Sequence, residues 1–266
     1  FPGLRVFGDI KCFFIKDAKN PTSGWLYPDS PMMDVRVRKA LQKAVNLDEL
    51  NKGLFGGQGQ QMSQPHMHPS RPGWDPSWDT RFKDEYGYDP EAAKKLLAEA
   101  GKPNPKVSLL LTPVAGAGVA AGDVAEAVAG YWRKVGVDVD IDNADPATID
   151  KGNLALKWDH HVDFRGTASN IWSGYGIYNS TAQSRSSVED PELERLLAEL
   201  RLTVDEQKQD ALWRQVGELT FRQHLDLNMF WLPVRIAVNP KVVGDWVFPG
   251  TITGSWTHLE NIAPPK

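Results

Sequence analysis

A single cysteine, Cys12, stands among 266 residues, so no disulfide can close within the chain and no cysteine-based zinc site can form. Such low thiol usage is compatible with an oxidising compartment without requiring one. No apolar run approaches the roughly 20 residues of a membrane-spanning helix. There is no surplus of positive charge either: 30 Lys and Arg oppose 34 Asp and Glu, a formal net charge of −4. Nucleic acid and anionic membranes both favour basic surfaces, so neither is expected as a partner. No serine occupies a Gly-x-Ser-x-Gly turn, and Cys12 lies in an apolar stretch that suits a packed thiol better than a nucleophile. The chain begins at Phe1 with neither an initiator Met nor a signal peptide, as expected of a processed or excised piece.

What the sequence has in quantity is rings and loop formers. Ten Trp, 19 Pro and 23 Gly are spread along the chain. Long ordered loops plugged by aromatics follow from this, as does a ligand site lined by rings. With 41% hydrophobic and 24% charged residues, the composition is that of a folded globular protein of one large domain or two modest ones.

Periodicity places the elements. Ile10 to Ile15 predicts a strand. Asp34 caps a helix with Val37, Leu41, Ala44 and Val45 at helical spacing, Asp48 caps a short second helix, and Gly56, Gly57 and Gly59 end the pair. Residues 58–85 show no usable periodicity and predict a long functional or well-packed loop. Asp89 and Pro90 open a helix with the stripe Ala93, Leu96, Leu97 and Ala100, stopped by Gly101. Val107 to Leu111 is a buried strand, Asp123 caps the helix carrying Val124, Val128 and Trp132, and Val137 to Ile141 alternates as a half-exposed strand. That order is a βαβ crossover with parallel pairing. Residues 145–188 offer one strand, near Val162 to Phe164. Two helices opened by Asp190 and Asp205 follow, then strands at Met229 to Leu232 and Ile236 to Val238, with a short one at Trp246 to Phe248.

Several constellations could carry chemistry. The loop from Gly116 through Gly118 to Gly122 follows a strand and precedes a helix, but its GxGxxxG spacing departs from the dinucleotide fingerprint and a flexible connection accounts for it. His66 and His68 lie one residue apart, and Asp159, His160 and His161 are consecutive. Either group could serve a metal-dependent hydrolase, or be ordinary loop histidines. Arg165 to Tyr178 is aperiodic and combines a guanidinium, small polar residues and three rings, the composition of a mostly apolar pocket with a few polar contacts. From it Arg165, Ser169, Asn170, Trp172, Tyr175 and Tyr178 are candidate ligand contacts, together with Trp74 from the Pro-rich loop.

Laid end to end, four segments carry a resemblance. Asp34-Val35-Arg36-Val37-Arg38-Lys39-Ala40-Leu41 leads into Ala44-Val45-Asn46-Leu47-Asp48. Tyr88-Asp89-Pro90 continues to Leu96-Leu97-Ala98-Glu99-Ala100-Gly101, and Asp190-Pro191-Glu192-Leu193 precedes Phe230-Trp231-Leu232-Pro233. In this order they resemble the C-terminal half of the ABC-importer solute-binding proteins that include oligopeptide, dipeptide and nickel binders, known as family 5. The resemblance implies an α/β fold: one lobe of a periplasmic-binding-protein-like clamshell (type II, cluster C), a mixed sheet flanked by helices, with part of the hinge. It implies residues 1–30 as hinge or first-lobe remnant, 31–235 as the ligand-binding lobe, and 236–266 as return strand and tail. It further implies a small-molecule or peptide ligand, no catalysis and no cofactor. The expected partners are an ABC permease in the membrane and an N-terminal lobe preceding Phe1. The expected location is extracytoplasmic, in the periplasm or as a surface lipoprotein. One departure bears on the ligand. Peptide binders carry an acid after the strand that Asp163-Phe164 matches, whereas Arg165-Gly166-Thr167-Ala168-Ser169 follows here. Arg165 instead suits an anionic group.

Overall fold

A mixed sheet organises the computed structural model, which describes residues 2–11, 14–17, 20, 22–67, 69, 73–111, 121–167, 189–233, 238–246 and 262–265. Its strands are β1 (Pro2–Lys11), β2 (Gln60–Gln61), β3 (Lys106–Leu111), β4 (Asp138–Asp142), β5 (His161–Thr167) and β6 (Asp226–Pro233). They lie in the order β2-β6-β1-β5-β3-β4. β1 is antiparallel to both β5 and β6, whereas β3 is parallel to β4 and to β5. A separate two-residue pair joins β7 (Asp245–Trp246) to β8 (Ile262–Ala263).

The helices are α1 (Val35–Lys43), α2 (Leu47–Phe55), α3 (Ser77–Tyr86), α4 (Pro90–Glu99), α5 (Ala121–Lys134), α6 (Pro146–Leu154), α7 (Pro191–Leu202) and α8 (Glu206–Gln223). Aspartate side chains cap α1, α4, α6, α7 and α8, accepting from the otherwise unpaired N–H groups of the first turn. The cap of α2 is Asn46, not Asp48: its carboxamide oxygen accepts from Glu49 N, and Asp48 sits in the first turn. Asp123 likewise lies inside the first turn of α5, where a carboxylate meets the positive end of the helix dipole.

Alternate residues of the strands divide the sheet into two unlike faces. Val6, Ile10, Val107, Leu109, Val139, Val162, Phe164 and Leu227 belong to the main apolar core, shared with Val37 and Leu41 of α1, Val128 and Trp132 of α5, and Leu197 of α7. The indole N–H of buried Trp132 donates to Leu41 O at 2.8 Å, tying α5 to α1. Leu110, pointing the other way, joins Phe14, Ile149 of α6 and Trp158 in a smaller cluster.

Four further sequence expectations change. The first strand spans Pro2–Lys11 rather than Ile10 to Ile15, because Arg5, Asp9 and Lys11 are buried and their charges disguised a central strand. The stretch 58–85 contains β2 and α3; Trp78, Phe82 and Tyr86, four residues apart, form the buried stripe of that helix. The segment 145–188 contains α6, opened by Asp145 and Pro146. The strand predicted from Met229 begins at Asp226 and runs into Pro233, while Val238 lies outside any element and 236–237 fall outside the described residues. The glycine loop 112–120 also falls outside them.

Candidate functional site

On the face of β1 opposite the main core stand Arg5, Phe7, Asp9 and Lys11. Register brings polar partners to each side. Asp9 lies opposite Asp163 on β5 and Asp226 on β6, and Phe7 opposite Arg165 and Asn228. Arg5, Asp9, Lys11, Asp163, Asp226 and Asn228 are all buried. Three aspartates abreast in low dielectric repel one another, so cations must sit among them for the layer to fold. Lys11 supplies one, with Nζ 3.6 Å from Asp163 Oδ2 and 3.2 Å from Asn153 Oδ1. Arg5 stands over the Phe7 ring at 4.9 Å.

Arg5 also fixes the chemistry of His66. Its Nη1 donates to Pro65 O at 2.6 Å and lies 2.7 Å from His66 Nδ1. A guanidinium can only donate, so Nδ1 accepts and the ring proton is on Nε2, facing Asp226 Oδ1 at 3.9 Å. Asp9, His66 and Asp226 have metal-ligand geometry, but this tautomer leaves His66 no lone pair for a cation beside the aspartates. The group is a buried electrostatic layer. The loop that carries His66 is held by side-chain amides: Gln64 Nε2 donates to Gly217 O at 2.6 Å, and Asn228 Nδ2 to Ser63 O at 2.9 Å. These contacts satisfy backbone groups that a buried loop cannot pair for itself.

The second histidine group, Asp159, His160 and His161, spans the start of β5, whose first residue is His161, and is half-buried. It stays separate from the first among the described residues, so the two do not build one catalytic centre. The Asp159 carboxylate contacts His160 Nδ1, Ser30 Oγ donates to Asp159 O, and Trp158 meets His161 edge-on with ring centroids 4.8 Å apart. Burial, with His160 adding to it, pushes the His161 pKa down to about 4. His68 lies outside the described residues.

Of the expected ligand contacts, Trp74 is half-buried, edge-on to Trp78 at 5.3 Å and packed on the main core. Arg165 lies in β5 in register with Phe7, near the strand end from which residues 168–188 depart. Ser169, Asn170, Trp172, Tyr175 and Tyr178 fall outside the described residues. Sequence reasoning missed Arg5, Asp9, Lys11 and Asp226. The available signal was the alternation of Arg5, Phe7, Asp9 and Lys11 against Val6, Gly8 and Ile10.

At one end of the sheet, β3, β5 and β6 all finish. In open α/β sheets, ligands bind outside the carboxyl ends of the parallel strands. Comparison with known proteins identifies the family. Residues 16–188, more than half of the chain, match the model of bacterial extracellular solute-binding proteins, family 5 Middle. The dipeptide-binding protein of Escherichia coli K12 is 37% identical over 113 residues, 42% of this chain and 20% of that protein. Di/tripeptide-binding protein 2 of Pseudomonas aeruginosa is 26% identical over 211 residues, 77% of this chain and 38% of that one. Among solved structures, NikA from Brucella suis in complex with Fe(III)-EDTA superposes with a TM-score of 0.71 at 17% identity, over 98% of this chain and 51% of that one. The chain thus spans about half the length of that structure and less of these curated relatives.

Proposed function

The chain belongs to the bacterial extracellular solute-binding proteins of family 5, and from that premise we propose that it is the ligand-gripping lobe of a two-lobed protein serving ABC-type uptake. One observation carries the reading: the family match extends over a mixed α/β lobe whose parallel strands finish at a common end. In this reading residues 31–235 are the lobe, with 1–30 and 236–266 belonging to the hinge, although β1 also runs through the lobe's sheet. Solute is held between this lobe and a second one, and the closed form is presented to a membrane permease. Closure follows because the solute contacts the closed state better than the open one.

Arg165, near the end of β5, supplies contacts together with Trp74 and with Ser169, Asn170, Trp172, Tyr175 and Tyr178 of the sequence that follows the strand. The buried charged layer beneath holds that end of β5 rigid and does not itself touch solute. The protein is extracytoplasmic, in keeping with the family's description, and no helix among the described residues is long and apolar enough to cross a membrane. The solute is a small compound with an anionic group. The absence of an acid after Asp163-Phe164 removes the partner an amine-led peptide needs, and a guanidinium grips carboxylate or phosphate with two hydrogen bonds.

A thermal-shift screen of the longer protein that contains this lobe, against peptides, sugars, carboxylates, phosphates and metal chelates, tests the reading. Solute at about 100 times its Kd should stabilise by about 2.7 kcal/mol. The expected hit is an anionic compound whose shift disappears in Arg165→Ala. A hit that Arg165→Ala leaves intact would overturn the role of Arg165, and no stabilisation by any class would overturn solute capture.

A further inference from the structure

The Asp159-His160-His161 group is separate from Arg165 of the proposed solute site: it lies at the start of β5, whereas Arg165 lies near the other end of that strand. It was nevertheless built with unusual constraint. Trp158 packs flat on α6, so closely that a Cβ on Gly152 would lie 2.0 Å from the indole. Its Nε1 donates to Asn153 Oδ1 at 2.9 Å. Leu156 takes a left-handed φ of 51°, a conformation that a non-glycine residue keeps only where its surroundings hold it. From the other side, Ser30 Oγ donates to Asp159 O, and Ser108 N donates to His160 O at 3.0 Å. The turn is thereby clamped between the segment ahead of α1, α6 and β3.

Within this turn, one ligating atom from each of Asp159, His160 and His161 lies within 4.8 Å of the others. Metal–nitrogen and metal–oxygen bonds of about 2.1 Å place two ligands of one ion roughly 3.0–4.2 Å apart, so small side-chain rotations close the set. Independently, His161 Nδ1 is buried and has no hydrogen-bond partner. A buried polar atom left this way is costly, and coordination would relieve it. The Asp159–His160 contact orients the His160 ring, as carboxylates do for histidine ligands.

We propose that Asp159, His160 and His161 form a peripheral binding site for a divalent transition-metal ion, outside the solute cleft. Two imidazoles and a carboxylate suit borderline ions such as Zn²⁺, Ni²⁺ and Cu²⁺ rather than Mg²⁺ or Ca²⁺, which take oxygen ligands. Three residues from one turn leave the remaining positions to water, so the ion is held reversibly and has room to exchange. The site does not depend on the solute reading, and either can fail alone.

Tag-free protein, stripped with chelator, is titrated calorimetrically with ZnCl₂ and with NiCl₂. One saturable site is expected, weakened at least tenfold in His160→Asn and in His161→Gln. MgCl₂ should give no such binding. His66→Gln serves as a second control and should leave the metal isotherm unchanged. Because His161 is the more buried of the two, the half-exposed Asp159→Asn is a further test less prone to misfolding, and it should also weaken binding. Absence of saturable binding, or binding that survives the double variant His160→Asn/His161→Gln, would overturn the proposal.

Discussion

Lys11 and Asp163 stand on neighbouring antiparallel strands with 3.6 Å between Nζ and Oδ2, and neither side chain is exposed to solvent. Taking either charge away leaves the other stranded in low dielectric, which typically costs about 3–5 kcal/mol. Lys11→Met should therefore lower the urea midpoint sharply. The double variant Lys11→Met/Asp163→Leu should regain part of the loss, since an apolar pair of similar volume needs no counter-charge. Equilibrium unfolding of the four proteins in the cycle measures this, and a double variant no more stable than Lys11→Met would show that the two do not act as a pair.

His224 predicts a pH dependence. It is buried, stacked on Tyr86 with centroids 4.3 Å apart, and its pKa is lowered from 6.5 to about 3 by burial first, then by Lys39, Arg38 and Lys43. Glu85 Oε2, 3.7 Å from Nε2, does not offset these effects, so the ring is neutral in the folded state. The depressed pKa means that the native state refuses a proton which the unfolded chain accepts. Stability is thus complete above about pH 6.5 and falls as pH drops towards 3, by at most about 1.4 kcal/mol per unit. His224→Asn keeps a residue tolerant of the left-handed φ of 48° and removes the titration. Between pH 7.5 and 5.0 the variant should lose about 2 kcal/mol less than the unaltered protein; equal losses would refute the assignment.

Gly217 lets α8 approach α3. A Cβ there would lie 2.3 Å from the Trp78 ring and 2.8 Å from Met67 Sδ. Although alanine favours helix, Gly217→Ala should destabilise by about 1–3 kcal/mol through overpacking. Pairing it with Trp78→Phe should recover some of that, as read from melting temperatures.

Asp190 accepts from Glu192 N and Leu193 N, both at 2.9 Å, and its substitution by Ala should cost about 1 kcal/mol. Asn at the same position should cost only a few tenths, because the amide oxygen keeps the cap. Denaturant midpoints of the two variants distinguish a lost cap from a lost charge.

Elements whose fate is local could be read directly from the chain. α4 is the clearest: Asp89 caps it, Pro90 opens it, Ala93 and Leu97 bury one stripe, and Gly101 at φ +68° ends the run. The β3–α5–β4 unit was legible for the same reason, since each part carries its own period and its own punctuation. α3 escaped because Pro, Gly and His on its N-terminal side read as loop, although the Trp78, Phe82, Tyr86 spacing was present.

Taken by itself, the sequence determined the caps, the amphipathic stripes, the parallel crossover and, through ordered segments from Asp34 to Pro233, the family resemblance. These are matters of neighbours a few residues apart. Only the tertiary structure decided that Arg5, Asp9 and Lys11 lie in a central strand, because a buried charge is permitted only by partners far along the chain, here Asp163, Asn153 and His66. It likewise decided that His66 belongs to a charge layer rather than a metal centre. Each of those outcomes rests on which side chains the sheet register brings within hydrogen-bond or ring-contact distance, and no local pattern encodes that.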